Sequence, residues 1–151
     1  MANKTERGDD IWTEDEKAAM KEHAAERKAA RSRTGTAAEK AAADLQSLLE
    51  KIAELEGDDR VLAEQVHEII TTTAPSLAPK TWYGMPAYYK DGKVLCFFQP
   101  AAKFKARYST LGFDGSAALD DGDMWPASFA VTRITPEVEA RIVELVTRAL
   151  G

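Results

Sequence analysis

The sequence predicts an α+β domain: a mostly antiparallel sheet of four or five strands, with N-terminal helices and a C-terminal helix packed on one face. Three observations lead there. Apolar residues recur at helical spacing as far as Ile70. The period then drops to two, and eleven of the twelve aromatics fall between Trp82 and Phe129. Finally, Thr135-Pro136-Glu137 combines a cap, an N1 proline and an early acid, which opens a closing helix. A helical front, a strand-rich middle and a helical end make an α+β layer structure.

Residues 1–12 read as disordered. Thr13 with Glu16 forms a capping box for a helix running to Arg33, with acids first and bases last. Its apolar content is nearly all alanine, which favours helix but buries little area, so this helix docks weakly or projects into solvent. Gly35 breaks the run, which divides the chain into a tail with a charged helix (1–35) and the α+β domain (36–151). Thr36 with Glu39 starts a second helix, with Leu45, Leu48, Leu49, Ile52 and Leu55 on its apolar side and Gly57 placed to end it. Asp58 or Asp59 caps a third, whose buried face is Leu62, Val66, Ile69 and Ile70.

"KTWY" and "AYYK" are short strands around Gly84-Met85-Pro86. In "YYKDGKVLCFF", Asp91-Gly92 specifies a two-residue type I′ hairpin turn. That turn sets Lys90 opposite Lys93, Tyr89 opposite Val94, Tyr88 opposite Leu95 and Ala87 opposite Cys96. One face then carries Ala87, Tyr89, Val94, Cys96 and Phe98, to lie under helices; the other carries Tyr88, Leu95 and Phe97. A strand over 103–110 alternates Lys103, Lys105 and Arg107 with Phe104, Ala106 and Tyr108. "PASFAVTRI" holds the last strand, and Val138, Ile142, Leu145, Val146 and Ala149 form the buried face of the last helix.

Composition narrows the function classes. A hydrophobic content of 44% and a charged content of 30% are those of a soluble globular chain. No apolar run approaches the ~20 residues of a membrane span, and "MANKTERGDD" has no apolar leader. The single cysteine, Cys96, can form no internal disulfide, which points to the cytoplasm. The net charge is −5, yet residues 75–111 hold six basic side chains against one acidic. Nucleic acid is disfavoured by the net sign. The basic, aromatic middle suits a small anion instead.

"WYGMPAY" followed by a hairpin, "VLCFFQPAAKFKARYSTLGF" and a closing helix resembles the YdhG-like family of small bacterial domains over residues 45–150, with Trp82, Gly84, Met85 and Pro86 the most specific positions. The resemblance implies the α+β fold and no assigned activity for most members. One branch is described as a frataxin-like intracellular iron chaperone, which implies iron binding or delivery without enzymatic turnover. Where members often read Lys-Lys-His, this chain has Lys105-Ala106-Arg107 and lacks that histidine.

No phosphate loop, HExxH, cysteine pair or nucleophile elbow is present. Cys96 falls mid-strand on an apolar face, where a thiol is inert. His23 and His67 lie on helices far in sequence from the aromatic segment, and the lone Glu64-x-x-His67 lacks the second copy that a di-iron bundle needs. Two alternative binding sites are expected, the first for iron and the second for a small anion. Glu50, Glu54, Asp58 and Asp59 cluster where a hard cation such as iron would be held weakly through oxygen. Trp82, Tyr88, Phe97 and Trp125, with Lys103, Lys105 and Arg107 at the rim, would form a ligand wall for a small anionic molecule.

Overall fold

The computed structural model describes residues 12–151. The disorder expected of residues 1–12 therefore lies outside the described residues, except at Trp12, which is exposed. Three of the four helices among the described residues begin as their sequences dictate. The Thr13 hydroxyl accepts the Glu16 N–H at 3.1 Å to open α1 (Glu14–Ser32). Thr36 accepts the Glu39 N–H at 3.1 Å for α2 (Ala37–Glu54), and Thr135 accepts the Val138 N–H at 3.2 Å for α4 (Pro136–Ala149). Each bond satisfies a donor that helix geometry orphans.

α3 (Gly57–Thr73) departs from expectation. Its cap is Glu56, with no side-chain bond, so neither Asp58 nor Asp59 caps it. Gly57, expected to end α2, takes φ +56° and opens α3 instead. The reversal thus happens at Leu55–Glu56, and both aspartates fall inside the first turn, where the helix dipole favours them.

The strands β1 (Ala78–Trp82), β2 (Met85–Lys90), β3 (Lys93–Gln99), β4 (Ser109–Phe113) and β5 (Ser128–Val131) form an antiparallel meander in chain order. Asp91 (φ 51°) and Gly92 (φ 78°) make the two-residue turn that was expected. Tyr83 (φ 53°) and Gly84 (φ 74°) make a second of the same left-handed kind between β1 and β2.

The predicted β2–β3 register holds for two pairs and then slips. Lys90 faces Lys93 and Tyr89 faces Val94, but Tyr88 faces Cys96 and Ala87 faces Phe97. Leu95 is the extra residue of a β-bulge, and its carbonyl accepts the Asp114 N–H at 2.9 Å. A one-residue slip exchanges faces. Tyr88 therefore shares the helix-covered face with Cys96, while Ala87 shares the opposite face with Phe97. Val94, Leu95 and Cys96 are all buried as a result.

The strand expected over 103–110 is also corrected. Ala102–Phe104 form a single 3-10 turn, Lys105 closes it at φ 51°, and β4 starts only at Ser109. Two bonds impose the loop: the Asp59 carboxylate accepts the Ala102 N–H at 2.9 Å, and the Ser109 hydroxyl accepts the Ala101 N–H at 3.0 Å.

The core lies between one sheet face and α2, α3 and α4. It joins Leu48 and Ile52, the predicted α3 residues Leu62, Val66, Ile69 and Ile70, and Ile142, Val146 and Ala149 to Tyr88, Cys96, Phe98, Leu111 and Val131. α1 is outside this core; its one buried residue is Ala19. It does not project into solvent, however. It is held against β1 and the 3-10 turn by charged groups.

Candidate functional site

The seven residues expected to wall a ligand site are scattered. Trp82 and Phe97 do meet, edge to face with ring centroids 5.2 Å apart, on the sheet face away from the core. The Phe97 ring lies over Gly112, where any Cβ would overlap it. Tyr88 is on the other face, fully buried beneath α3, because of the bulge at Leu95. The three cations do not line one side of a strand. Lys103 bonds the Glu22 carboxylate at 2.6 Å and the Gly84 carbonyl at 3.2 Å. Lys105 pairs with Asp15 at 3.7 Å. Arg107 lies 5.1 Å from the Tyr108 ring centroid. Trp125 packs on the edge of the core, apart from Trp82 and Phe97.

Both histidines meet tyrosines of the aromatic segment, which sequence separation concealed. His67 Nδ1 and the Tyr88 hydroxyl share a hydrogen bond of 2.8 Å. Burial lowers the His67 pKa, and burial, then the neighbouring Cys96, raises that of Tyr88, so both are neutral at pH 7. His23 stacks on Tyr83, centroids 4.0 Å apart. Cys96 is fully buried and its thiol is pushed up to about 12 by desolvation, so no thiolate is available as a nucleophile at pH 7.

The expected metal ligands are divided. Glu50 and Glu54 line a cleft of about 330 Å³ between α1, α2 and β1. Glu54 and Asp59 line its neighbour of about 350 Å³ beside Gly84 and Lys103. Glu50 accepts from Gln46 at 3.4 Å, Glu54 from Lys51 at 3.4 Å, and Asp59 from the Ala102 N–H. Among the described residues, no group of three or more histidine, cysteine, aspartate or glutamate side chains is placed to hold a metal ion.

A different aromatic and basic site is assembled at the far end of the core. α4 buries Ile142, Val146 and Ala149; the helical period then sets Arg141, Leu145 and Arg148 on the adjacent stripe. β5 contributes Phe129, and the connection from β4 contributes Leu119, Asp121, Trp125 and Pro126. That connection is tied down where the Ala118 N–H donates to the Ala149 carbonyl at 2.9 Å. The result is a cavity of about 240 Å³ with half-buried Trp125 and Phe129 as apolar wall. The Arg141 guanidinium lies 5.5 Å from the Phe129 ring centroid, within cation–π range. Among the described residues neither Arg141 nor Arg148 is in a salt bridge. Asp121 and Glu144 stand at the same cavity.

Compared with protein-family models, curated proteins and solved structures, the chain matches none. Of the cavity's residues, sequence reasoning selected Trp125 alone as a ligand contact. The signal for the others was the spacing Arg141, Leu145, Arg148 at i, i+4 and i+7, read only as a helix with one buried face. No helix among the described residues is long and apolar enough to cross a membrane.

Proposed function

We propose that this protein is a non-enzymatic, cytoplasmic binding domain of the YdhG-like kind it resembles, and that the Trp125 cavity is its ligand site. The observation that carries the reading is the pair Arg141 and Arg148, without salt-bridge partners among the described residues, lining a cavity walled by Trp125 and Phe129. Guanidinium groups bond carboxylates and phosphates through planar donor forks, and aromatic walls supply apolar area. Asp121 and Glu144 beside them accept hydrogen bonds. The matching ligand is a small organic anion that also carries an ammonium or hydroxyl donor. Binding without turnover is supported by the buried Cys96 thiol and by the engagement of both histidines with tyrosines.

A thermal-shift screen of small carboxylates and phosphates, with and without amino groups, tests this. A ligand of the native state raises the melting midpoint. Amino-bearing anions should raise it in the wild type and lose most of that effect in an Arg141→Met, Arg148→Met double variant. If no such anion stabilises the wild type, or the variant responds equally, the cavity is not the site. Fe²⁺ belongs in the same screen: a metal shift abolished by Glu50→Gln and Glu54→Gln would favour iron instead.

A further inference from the structure

The β1–β2 turn carries a feature that the Trp125 cavity does not use. In a two-residue hairpin turn, the N–H groups of the two central residues point away from the ladder and need an outside acceptor. At Tyr83 and Gly84, that acceptor comes from a helix 57 positions earlier in the chain: Glu26 Oε2 accepts the Tyr83 N–H at 3.0 Å and Oε1 accepts the Gly84 N–H at 2.7 Å. One carboxylate is thus gripped by two successive backbone donors, the arrangement that makes turns into anion sites. Lys103 stands beside it, bonded to the Gly84 carbonyl and to Glu22. The helix that delivers Glu26 buries only Ala19, and its other ties to the domain include the ion pairs of Glu22, Asp15 and Arg33, whose strength falls with salt.

We propose that the Tyr83–Gly84 turn is a carboxylate-binding site, and that α1 closes it by supplying Glu26 as an internal substitute for the ligand. When α1 lifts away, both N–H groups and the Lys103 ammonium are released together, and an incoming carboxylate takes the place of Glu26. The site then has two states, closed in cis and occupied in trans, and the helix is the element that selects between them. The carboxylate is supplied either by a free small acid or by a glutamate on a helix, of which α1 of a second copy is the available instance.

Amide resonances of isotopically labelled full-length Glu26→Ala protein test the proposal, with sodium acetate titrated against sodium chloride at equal ionic strength. A second arm adds a peptide of residues 13–33 in place of acetate. In the variant, Tyr83 and Gly84 should shift saturably, while in the wild type, already occupied, they stay in place. Shifts with acetate assign the site to free small acids. Shifts with the peptide and not acetate assign it to a helix-borne glutamate. If Glu26→Ala gives no folded spectrum, Glu26→Gln, which keeps the side-chain length, takes both titrations. No movement of Tyr83 and Gly84 with either probe, or equal movement in the wild type, overturns the proposal.

Discussion

The molecule contains the same turn twice, in different company. Asp91–Gly92 and Tyr83–Gly84 each join antiparallel strands through two residues at positive φ. Around Gly92, a Cβ would meet nothing within 4 Å. At Gly84 a Cβ would overlap the Glu22 carboxylate and the Lys103 ammonium. One turn faces solvent and ends a hairpin; the other is the point at which α1 joins the domain. Backbone conformation alone therefore does not make a binding point, and the acceptor brought by a second element does. The contrast also explains the residues used. Asp and Gly enter the left-handed region readily, so the β2–β3 turn closes on local preference. Tyrosine does not, and Tyr83 is held there by Glu26 on its N–H and His23 on its ring.

The largest expected difference between the turns lies in their glycines. Gly92→Ala places alanine at φ 78° in open space and should cost about 1–2 kcal/mol from left-handed strain alone. Gly84→Ala has the same strain and must also push apart Glu22 and Lys103, which adds ~1 kcal/mol for a partly exposed ion pair. Urea unfolding of the two variants measures both; equal losses would mean that α1 does not constrain the β1–β2 turn.

Acidification acts on β2 between the turns, in the core. His67 has its pKa lowered by burial, so below about 6.5 the unfolded chain binds more protons than the folded one. Stability from this group is complete above that pH and is lost as pH falls towards the depressed folded value. Tyr88→Phe removes its 2.8 Å bond and should cost about 1 kcal/mol at pH 7. Urea midpoints of the wild type and a His67→Gln variant across pH 7.5 to 5 check the sign: the wild type should fall more steeply. A parallel decline would place the titration elsewhere.

The smallest effect sharpens the comparison most. Raising salt screens the ion pairs of α1, whereas among the described residues no ion pair lies at Asp91–Gly92. Hydrogen exchange at Tyr83 and Gly84 should accelerate with ionic strength while Asp91 and Gly92 are unchanged. If all four respond alike, the α1 contacts do not protect the β1–β2 turn.

Much of the fold was legible because its signals are local. The threonines at 13, 36 and 135 cap helices through bonds to residues three positions on. Leu62, Val66, Ile69 and Ile70 recur at the helical period, and Asp91-Gly92 closes a turn by its own backbone preferences. The candidate sites were far less legible. Their positions depend on the bulge at Leu95, which is stabilised by an N–H from Asp114, and on the loop at 102–108, which is fixed by Asp59. Pairing read outward from the Asp91–Gly92 turn is correct for two pairs; beyond the bulge Tyr88 and Ala87 exchange faces, while Cys96, Phe97 and Phe98 keep theirs.

By itself the sequence determined the α+β class, the extent of α1, the starts of α2 and α4, one hairpin turn and most of the helix faces that fill the core. Each of these is decided by interactions among residues within about one or two turns of each other. Tertiary structure decided which sheet face Tyr88 occupies, that Lys103 serves Glu22 and Gly84, that Trp125 lines one cavity with Arg141 and Arg148, and that Glu26 grips the β1–β2 turn. These depend on partners tens of residues away, and no local preference of either partner encodes the meeting. The physical reason is that buried or turn-exposed N–H, C=O and charged groups must find acceptors and donors somewhere. Where the nearest neighbours cannot supply them, the folded chain brings them from afar.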